Sequence, residues 1–105
     1  MTLAQREHPA AAEEFDEAVR WYESQQAGVG LRLIDRAEQA RAAIAAWPHA
    51  APPFTSFGDG TVIRSKTIRG FPLRIVYSAG LEDIVILAYA HDHRRPGYWA
   101  NRITE

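Results

Sequence analysis

The sequence predicts an α+β fold in which an N-terminal helical hairpin packs on one face of an antiparallel meander sheet. Up to Pro48, apolar residues recur at the three- and four-residue spacing of two amphipathic helices. Beyond residue 60, β-branched residues at a period of two and a short apolar run indicate three strands. Because neither helices nor sheet can bury an apolar side alone, they must pack together. We predict a single domain over residues 1–105, ordered β-α-α-β-β-β with a weak first strand.

The first helix should begin near Pro9, because proline is well tolerated in a first helical turn. Glu13 and Glu14 lie close to that start, where the helix dipole favours negative charge. Gly28 and Gly30 should end the helix, because glycine adopts the backbone angles of a tight turn. One apolar stripe runs along this segment at helical spacing: Ala11, Phe15, Ala18, Val19 and Tyr22.

A second helix follows the glycines and should stop at Pro48, since proline cannot continue a helix. The connection between the two helices is short, so the pair is predicted to form an antiparallel hairpin. The second helix also carries one apolar stripe: Leu33, Ala37, Ala40, Ile44 and Trp47.

The remaining elements are a weak N-terminal strand, Thr2–Glu7, and a meander near the C-terminus. Residues 48–61 are rich in proline, alanine and glycine, and we predict a loop there. Three segments form the predicted meander: Thr61–Ile68, Phe71–Ser78 and Ile84–His91. Turns at Arg69-Gly70 and at residues 79–83 join them. The last strand is apolar on both faces and should be central, and residues 92–105 should follow it as a polar turn and a short helix.

The net charge of −1 is divided unevenly along the chain. Residues 1–61 hold five basic and nine acidic side chains, a balance of −4, whereas residues 62–105 hold seven basic and four acidic, a balance of +3. A basic half attracts phosphate or an acidic partner, although small domains also show such imbalance by chance.

Several function classes are excluded by composition. The chain has no cysteine, which rules out disulfides and thiolate metal sites. Residues 1–9 lack the apolar run of a signal peptide, and no stretch approaches the roughly 18 apolar residues of a membrane span. We therefore expect a cytoplasmic protein with no membrane partner, no metal and no cofactor.

Three segments of the chain together resemble a known family. They read HPAAAEEFDEAVRWYE at residues 8–23, FPLRIVY at residues 71–77 and VILAYAHDHRRPGYWANR at residues 85–102. In this order they resemble the RelE/ParE toxins, over nearly the whole chain. Each segment is weakly specific, but their combination is specific. The family fold is a small antiparallel sheet with a helical hairpin on one face, in agreement with the pattern above.

The resemblance implies a partner and a choice of targets. Members of this family are neutralised by an antitoxin encoded in a neighbouring gene, and the complex usually represses its own operon. RelE-like members cut messenger RNA in the ribosome, whereas ParE-like members poison DNA gyrase. The fold does not say which of these targets applies.

Arg74 is the first candidate site residue, because RelE-like members place a catalytic arginine at the matching position of the RIVY strand. Its apolar neighbours should pack beneath the helices, so its side chain should face away from them. Arg64 and Lys66 lie two residues apart on the preceding strand and share a face, about 7 Å apart. We assign these two residues and Arg69 to binding RNA or another target. The alternative is a solvated basic face that protects exposed strands.

Further candidates follow the last strand. His91 is suited to proton transfer near neutral pH or to a hydrogen bond with the tail, while His93 should be solvated, and we expect no metal site there. Arg94 and Arg95 match the basic pair of the family and would contact phosphate. Tyr98 matches a tyrosine that some RNA-cutting members use near the C-terminus. It would stack on a base or act through its hydroxyl, unless it merely closes a packed turn.

The other aromatic residues are predicted not to be catalytic. Four lie on or beside the helical stripes and should form core or antitoxin-binding surface: Phe15, Trp21, Tyr22 and Trp47. Trp99 should close the core at the tail, and Arg102 should cap or pair with residues close by in sequence.

From the sequence, the first hypothesis is a ribosome-associated endonuclease that cuts messenger RNA, and the alternatives are a gyrase poison and an inactive relative. In metal-independent RNA cleavage, Arg74, Arg94 or Arg95 would hold the charge on the phosphate, and His91 or Tyr98 would transfer the protons. However, RNA-cutting members tend to be strongly basic, and this chain is not. In gyrase poisoning the tail would be a binding surface without chemistry. An inactive relative would retain only antitoxin binding.

Overall fold

The computed structural model describes residues 3–56 and 60–104, and it shows two helices against a five-stranded mixed sheet. The elements in chain order are β1 (Ala4–Glu7), α1 (Pro9–Gln25), α2 (Val29–Ala46), β2 (Pro53–Ser56), β3 (Val62–Thr67), β4 (Leu73–Ala79), β5 (Asp83–His91) and a 3-10 helix (Ala100–Thr104). The α+β prediction, with its helical hairpin and short first strand, is confirmed. Thr2, residues 57–59 of the predicted loop and Glu105 lie outside the described residues.

The strands are arranged in the order β1-β5-β4-β3-β2. Strands β3, β4 and β5 form the predicted antiparallel meander. Strand β1 pairs in parallel with β5, so the sheet is mixed rather than purely antiparallel. Because β1 covers its outer edge, β5 is an internal strand, which explains why it is apolar on both faces.

The prediction of a loop over residues 48–61 was wrong in part, because Pro53–Ser56 forms an edge strand there. It pairs with β3, and a register shift separates Pro53 from Thr55. Proline lacks the N–H that a central strand needs, but it is compatible with the start of an edge strand. The proline content of this segment therefore led to the prediction of a loop where a short edge strand is present.

The two helices bury the predicted stripes against one face of the sheet. On α2 four stripe residues are buried: Leu33, Ala37, Ala40 and Ile44. On α1 Ala11 is buried, and the other stripe residues are partly buried against the same core. Trp47 departs from the prediction for its stripe, because its indole is 73% exposed. The helix ends at Ala46, and the non-helical backbone of Trp47 turns its side chain off the stripe.

The connection between the helices depends on Glu23 and two glycines. Gly28 adopts a positive φ of 92°, and the Glu23 carboxylate accepts hydrogen bonds from the backbone N–H groups of Gly28 and Gly30. Gly30 is buried against α1, where an added Cβ would lie 2.9 Å from both the Glu23 Cβ and the Val19 carbonyl oxygen. The short turn therefore needs glycine at position 30 for close helix contact.

We expect Gly30→Ala to lower the free energy of unfolding by about 2 kcal/mol, since overpacking of a tight contact has costs of this order. The clash with the backbone carbonyl of Val19 cannot be relieved by rotating a side chain. Urea unfolding of both proteins measures the difference. Ala45→Gly in the last turn of α2 is the matched control, and a smaller loss for Gly30→Ala than for this control would contradict the packing.

The opposite face of the sheet carries a second, smaller core. Its buried residues come from three strands and the tail: Ile63, Val76, Leu87, Ala88, Ala90 and Trp99. A register shift in β5 pairs Val76 with Ala88 and Tyr77 with Ile86. The intervening Leu87 is therefore an extra residue, and both it and Ala88 pack in the second core. Trp99 is buried, as predicted, and so holds the tail against this face.

Candidate functional site

The tail that follows β5 separates two cavities. The larger, which we call the α1 groove, has a volume of about 740 Å³ and is lined by Glu14, Glu17, Ala18, Trp21, Tyr22, Pro72, Leu73, Tyr89, His91, Arg94 and Tyr98. The smaller, which we call the basic cleft, has a volume of about 300 Å³ and is lined by Phe54, Ser65, Arg74, Val76, Ala90, His91, Asp92, Arg94, Arg95, Pro96, Tyr98 and Trp99. Three residues line both cavities: His91, Arg94 and Tyr98.

The basic cleft brings together the five residues that the sequence proposed as catalytic: Arg74, His91, Arg94, Arg95 and Tyr98. They come from β4, the end of β5 and the tail, so only the folded chain assembles them. Three arginines around one small cavity favour an anionic ligand. The catalytic roles of these residues stay predictions.

Arg74 faces away from the helices, as expected from its place between two buried residues of β4. Its Nη1 donates to the Ser65 Oγ at 3.2 Å, and its Nε lies 3.7 Å from the Asp92 Oδ1. Both partners of this ion pair are about half exposed, at 43% and 51%. The pair is therefore weak and solvent-screened, and an anionic ligand can compete with Asp92 for Arg74.

Arg64, Lys66 and Arg69 lie outside the basic cleft. Arg64 and Lys66 share a face, as predicted, but they pair across the strands with Tyr77 and Ile75, whose side chains belong to the helix-side core. Directly paired residues point to the same side of a sheet, so Arg64 and Lys66 lie on the opposite face from Arg74. Arg69 is exposed in the β3–β4 turn.

The two histidines after the central strand contact each other. The His93 backbone N–H donates to the His91 Nδ1 at 3.1 Å, and the rings stack with centroids 5.1 Å apart. His93 is exposed, as predicted. His91 thus uses one ring nitrogen to hold the tail turn, and only its other nitrogen is available to a ligand.

The Tyr98 hydroxyl is held by a carboxylate from the first helix. It donates to the Glu14 Oε2 at 2.7 Å. The Arg94 guanidinium carbon lies 4.0 Å above the Tyr98 ring centre, a cation–π contact. Burial, followed by the hydrogen bond to Glu14 and its charge, raises the pKa of Tyr98 well above its usual range, although Arg102 and Arg94 oppose this.

Glu14 is the centre of this polar cluster, and the sequence interpretation missed it. Its carboxylate also accepts two hydrogen bonds from the Arg102 guanidinium, at 2.9 and 3.1 Å, and one from the Tyr89 backbone N–H at 3.2 Å. Its side chain is 16% exposed, and that of Arg102 is 13% exposed. The prediction that Arg102 pairs locally was wrong, because its partner lies on the first helix.

The expected role of Glu14 at the helix dipole must be corrected too. It lies on the inner face of α1, three residues after the buried Ala11, and it joins that helix to β5 and the tail. A carboxylate among the apolar residues of a helix stripe indicates that it pairs with a basic or hydrogen-bonding group inside the protein. Its partner, 88 residues away, carries no such signal.

Phe54 is a second residue that the sequence did not indicate. It lies on β2, inside the segment predicted to be a loop, and is 52% exposed at the mouth of the basic cleft. Its ring centre lies 6.3 Å from that of Trp99. An exposed ring beside three arginines offers a stacking surface for a planar or aromatic group.

Across residues 3–56 and 60–104, histidine, aspartate and glutamate side chains do not gather in groups of three that would hold a metal ion. Neither α1 nor α2 is long and apolar enough to cross a membrane.

Comparisons with known proteins identify the fold. No protein-family model matches the chain, and no curated protein matches its sequence. A chain of the solved structure described as the chromosomal ParDE TA system from P. aeruginosa is similar, with a TM-score of 0.68 over 86% of this chain and 96% of that chain. The two sequences are 15% identical, so the likeness concerns the fold. This protein therefore has the fold of a chain of a ParDE toxin–antitoxin system, as its resemblance to the RelE/ParE toxins implied.

Proposed function

We propose that this chain is the toxin of a bacterial toxin–antitoxin pair and that its partner is an antitoxin encoded beside it. Two independent observations support this function. The fold matches a chain of a ParDE toxin–antitoxin system. Three segments of the sequence, in the correct order, resemble the RelE/ParE toxins.

We further propose that the toxin acts by binding a target protein, with DNA gyrase as the target that the ParE-like members indicate. The observation that carries this mechanism is the hydrogen bond from the Tyr98 hydroxyl to Glu14. The Tyr98 hydroxyl already donates its proton to Glu14, and the pKa of Tyr98 is raised. Tyr98 is therefore poorly suited to accept or release a proton near neutral pH. The tail then serves as a surface, with Arg94 and Arg95 exposed for contact.

Messenger RNA cleavage is the second candidate, and the basic cleft favours it. Arg74, Arg94 and Arg95 surround a cavity that also contains His91. Those arginines would stabilise charge on a phosphate, and the second nitrogen of His91 would exchange a proton. Tyr98, the other acid–base candidate from the sequence, is bound to Glu14 and so does not support this mechanism.

Pulse labelling after induction of the chain in bacteria separates the two mechanisms. We expect DNA synthesis to fall before protein synthesis does, because a gyrase poison stops replication first. Protein synthesis that collapses first would support RNA cleavage instead. Normal rates of both would indicate a relative that retains antitoxin binding alone.

Variants of the tail sharpen this test. We expect the double change Arg94→Ala and Arg95→Ala to weaken inhibition by about ten-fold or more, since exposed cations at the centre of a contact surface carry much of its affinity. The double change Arg20→Ala and Arg32→Ala, at exposed positions of α1 and α2, is the charge-matched control. Tyr98→Phe keeps the ring and should retain inhibition, whereas RNA cleavage through the hydroxyl would be lost.

A further inference from the structure

A third cavity lies between the C-terminal end of α2 and β3, on the face opposite to the basic cleft. It has a volume of about 390 Å³, and Ala43, Ile44, Trp47 and Tyr77 supply its apolar lining. Trp47 is the most exposed of these, at 73%, beside the buried Ile44. We call this cavity the α2–β3 groove. A tryptophan that only filled the core would be buried, whereas the Trp47 indole is exposed beside the groove.

The charged side chains at this groove are basic. Lys66 lines it and is exposed, and it forms no ion pair within the part of the chain that the structure describes. Arg64 lies next to Lys66 on the same face of β3 and donates to the Ala51 carbonyl of the adjoining loop.

We propose that the α2–β3 groove is a docking site for an acidic, amphipathic segment of a partner protein. Apolar side chains of that segment would cover Trp47 and Ile44, while its carboxylates would face Lys66 and Arg64. Charge complementarity of this kind selects the partner and speeds association. The antitoxin is the expected source of the segment, and this last assignment rests on the proposed function. The chemistry of the segment does not depend on it.

The composition of the groove favours a peptide over a nucleic acid. A phosphate backbone would leave the apolar floor of Ala43, Ile44 and Trp47 uncovered. Among the described residues that line the groove, Lys66 alone is charged, whereas a surface that binds a phosphate backbone combines several cations. A helix or strand with one apolar and one acidic face would cover the apolar lining of the groove and also pair with its basic side chains.

Selection of short random peptides on the full chain tests this proposal, and it works whether or not the partner has been identified. We expect the enriched peptides to be net negative, with apolar residues at regular spacing. The best of them should bind at least about ten-fold more weakly to Trp47→Ala and to Lys66→Glu, as for central residues of an interface. Arg32→Glu, an exposed charge reversal at the other end of α2, should leave its affinity unchanged. Circular dichroism confirms that each variant is folded.

Three results would overturn the proposal. They are enrichment of neutral or basic peptides, no enrichment at all, and binding that is indifferent to both groove substitutions. Preferential binding of an oligouridylate, lost in Lys66→Glu, would assign the groove to nucleic acid. Growth arrest by the unaltered chain is measured separately, so arrest without peptide binding contradicts only the groove, and peptide binding without arrest contradicts only the toxin function.

Discussion

Replacing Glu14 with alanine is expected to lower the free energy of unfolding by about 3 kcal/mol. The change removes the Glu14 carboxylate that the Arg102 guanidinium, which is 13% exposed, binds in the folded protein. Removing one member of a buried ion pair costs more than the pair itself contributes, because an uncompensated charge stays buried. It also removes the acceptor of the Tyr98 hydroxyl and of the Tyr89 backbone N–H. Chemical denaturation at neutral pH measures the loss.

The neighbouring Glu13→Ala is the matched control, because Glu13 is exposed one position away on the same helix. We expect it to change stability by less than about 0.5 kcal/mol, as surface substitutions usually do. Removing both partners, by Glu14→Leu with Arg102→Leu, should recover part of the loss, since neither charge then stays buried. Equal losses for Glu14→Ala and Glu13→Ala would show that the cluster around Glu14 does not hold the tail.

Alkaline pH is expected to unfold this protein steeply above about pH 10, the ordinary pKa of tyrosine. The pKa values of its four tyrosines, Tyr22, Tyr77, Tyr89 and Tyr98, are all raised in the folded state, chiefly by burial. A raised folded-state pKa means that the folded protein holds each proton more tightly than the unfolded chain does. The stabilisation is therefore complete below about pH 10 and is lost progressively as pH rises towards the folded-state values.

Tyr89 and Tyr98 should dominate this effect. Burial and a hydrogen bond to Glu7 raise the pKa of Tyr89, although Arg41 opposes them. Tyrosinate absorbance and far-ultraviolet circular dichroism should therefore change together, because these hydroxyls ionise when the chain unfolds. Tyr98→Phe should make the alkaline loss less steep. Tyrosinate formation that is complete near pH 10 with the fold intact would contradict the burial of these hydroxyls.

The fold was predictable because the spacing of apolar residues along the chain specifies its helices and strands. The stripe from Leu33 to Ile44 at helical spacing and the alternation in β4 each specify an element and the face that it buries. Strand β2 was not predictable, because Pro52 and Pro53 resemble a loop and an edge strand needs few hydrogen bonds. The parallel pairing of β1 with β5 was also not predictable, since two strands so far apart in the sequence show no local pattern that identifies them as partners.

The candidate site was predictable only in part, for a similar reason. Arg74 faces away from the helices because strand alternation determines its side, and the tail residues follow β5 directly. The register between β3 and β4, which places Arg64 and Lys66 on the other face, required the structure. The partner of Glu14 also required it, because Arg102 lies at the opposite end of the chain. A local sequence pattern predicts which face of an element a side chain lies on, whereas its partners from distant parts of the chain are known only from the packed structure.

The most direct test of the toxin function is bacterial growth after the chain is induced alone and together with the gene beside its own. We expect growth to stop when the chain is made alone and to continue when the neighbouring product is made with it. Uninterrupted growth in the presence of folded, soluble chain would contradict the toxin function. Arrest that the neighbouring product fails to relieve would contradict its assignment as the antitoxin.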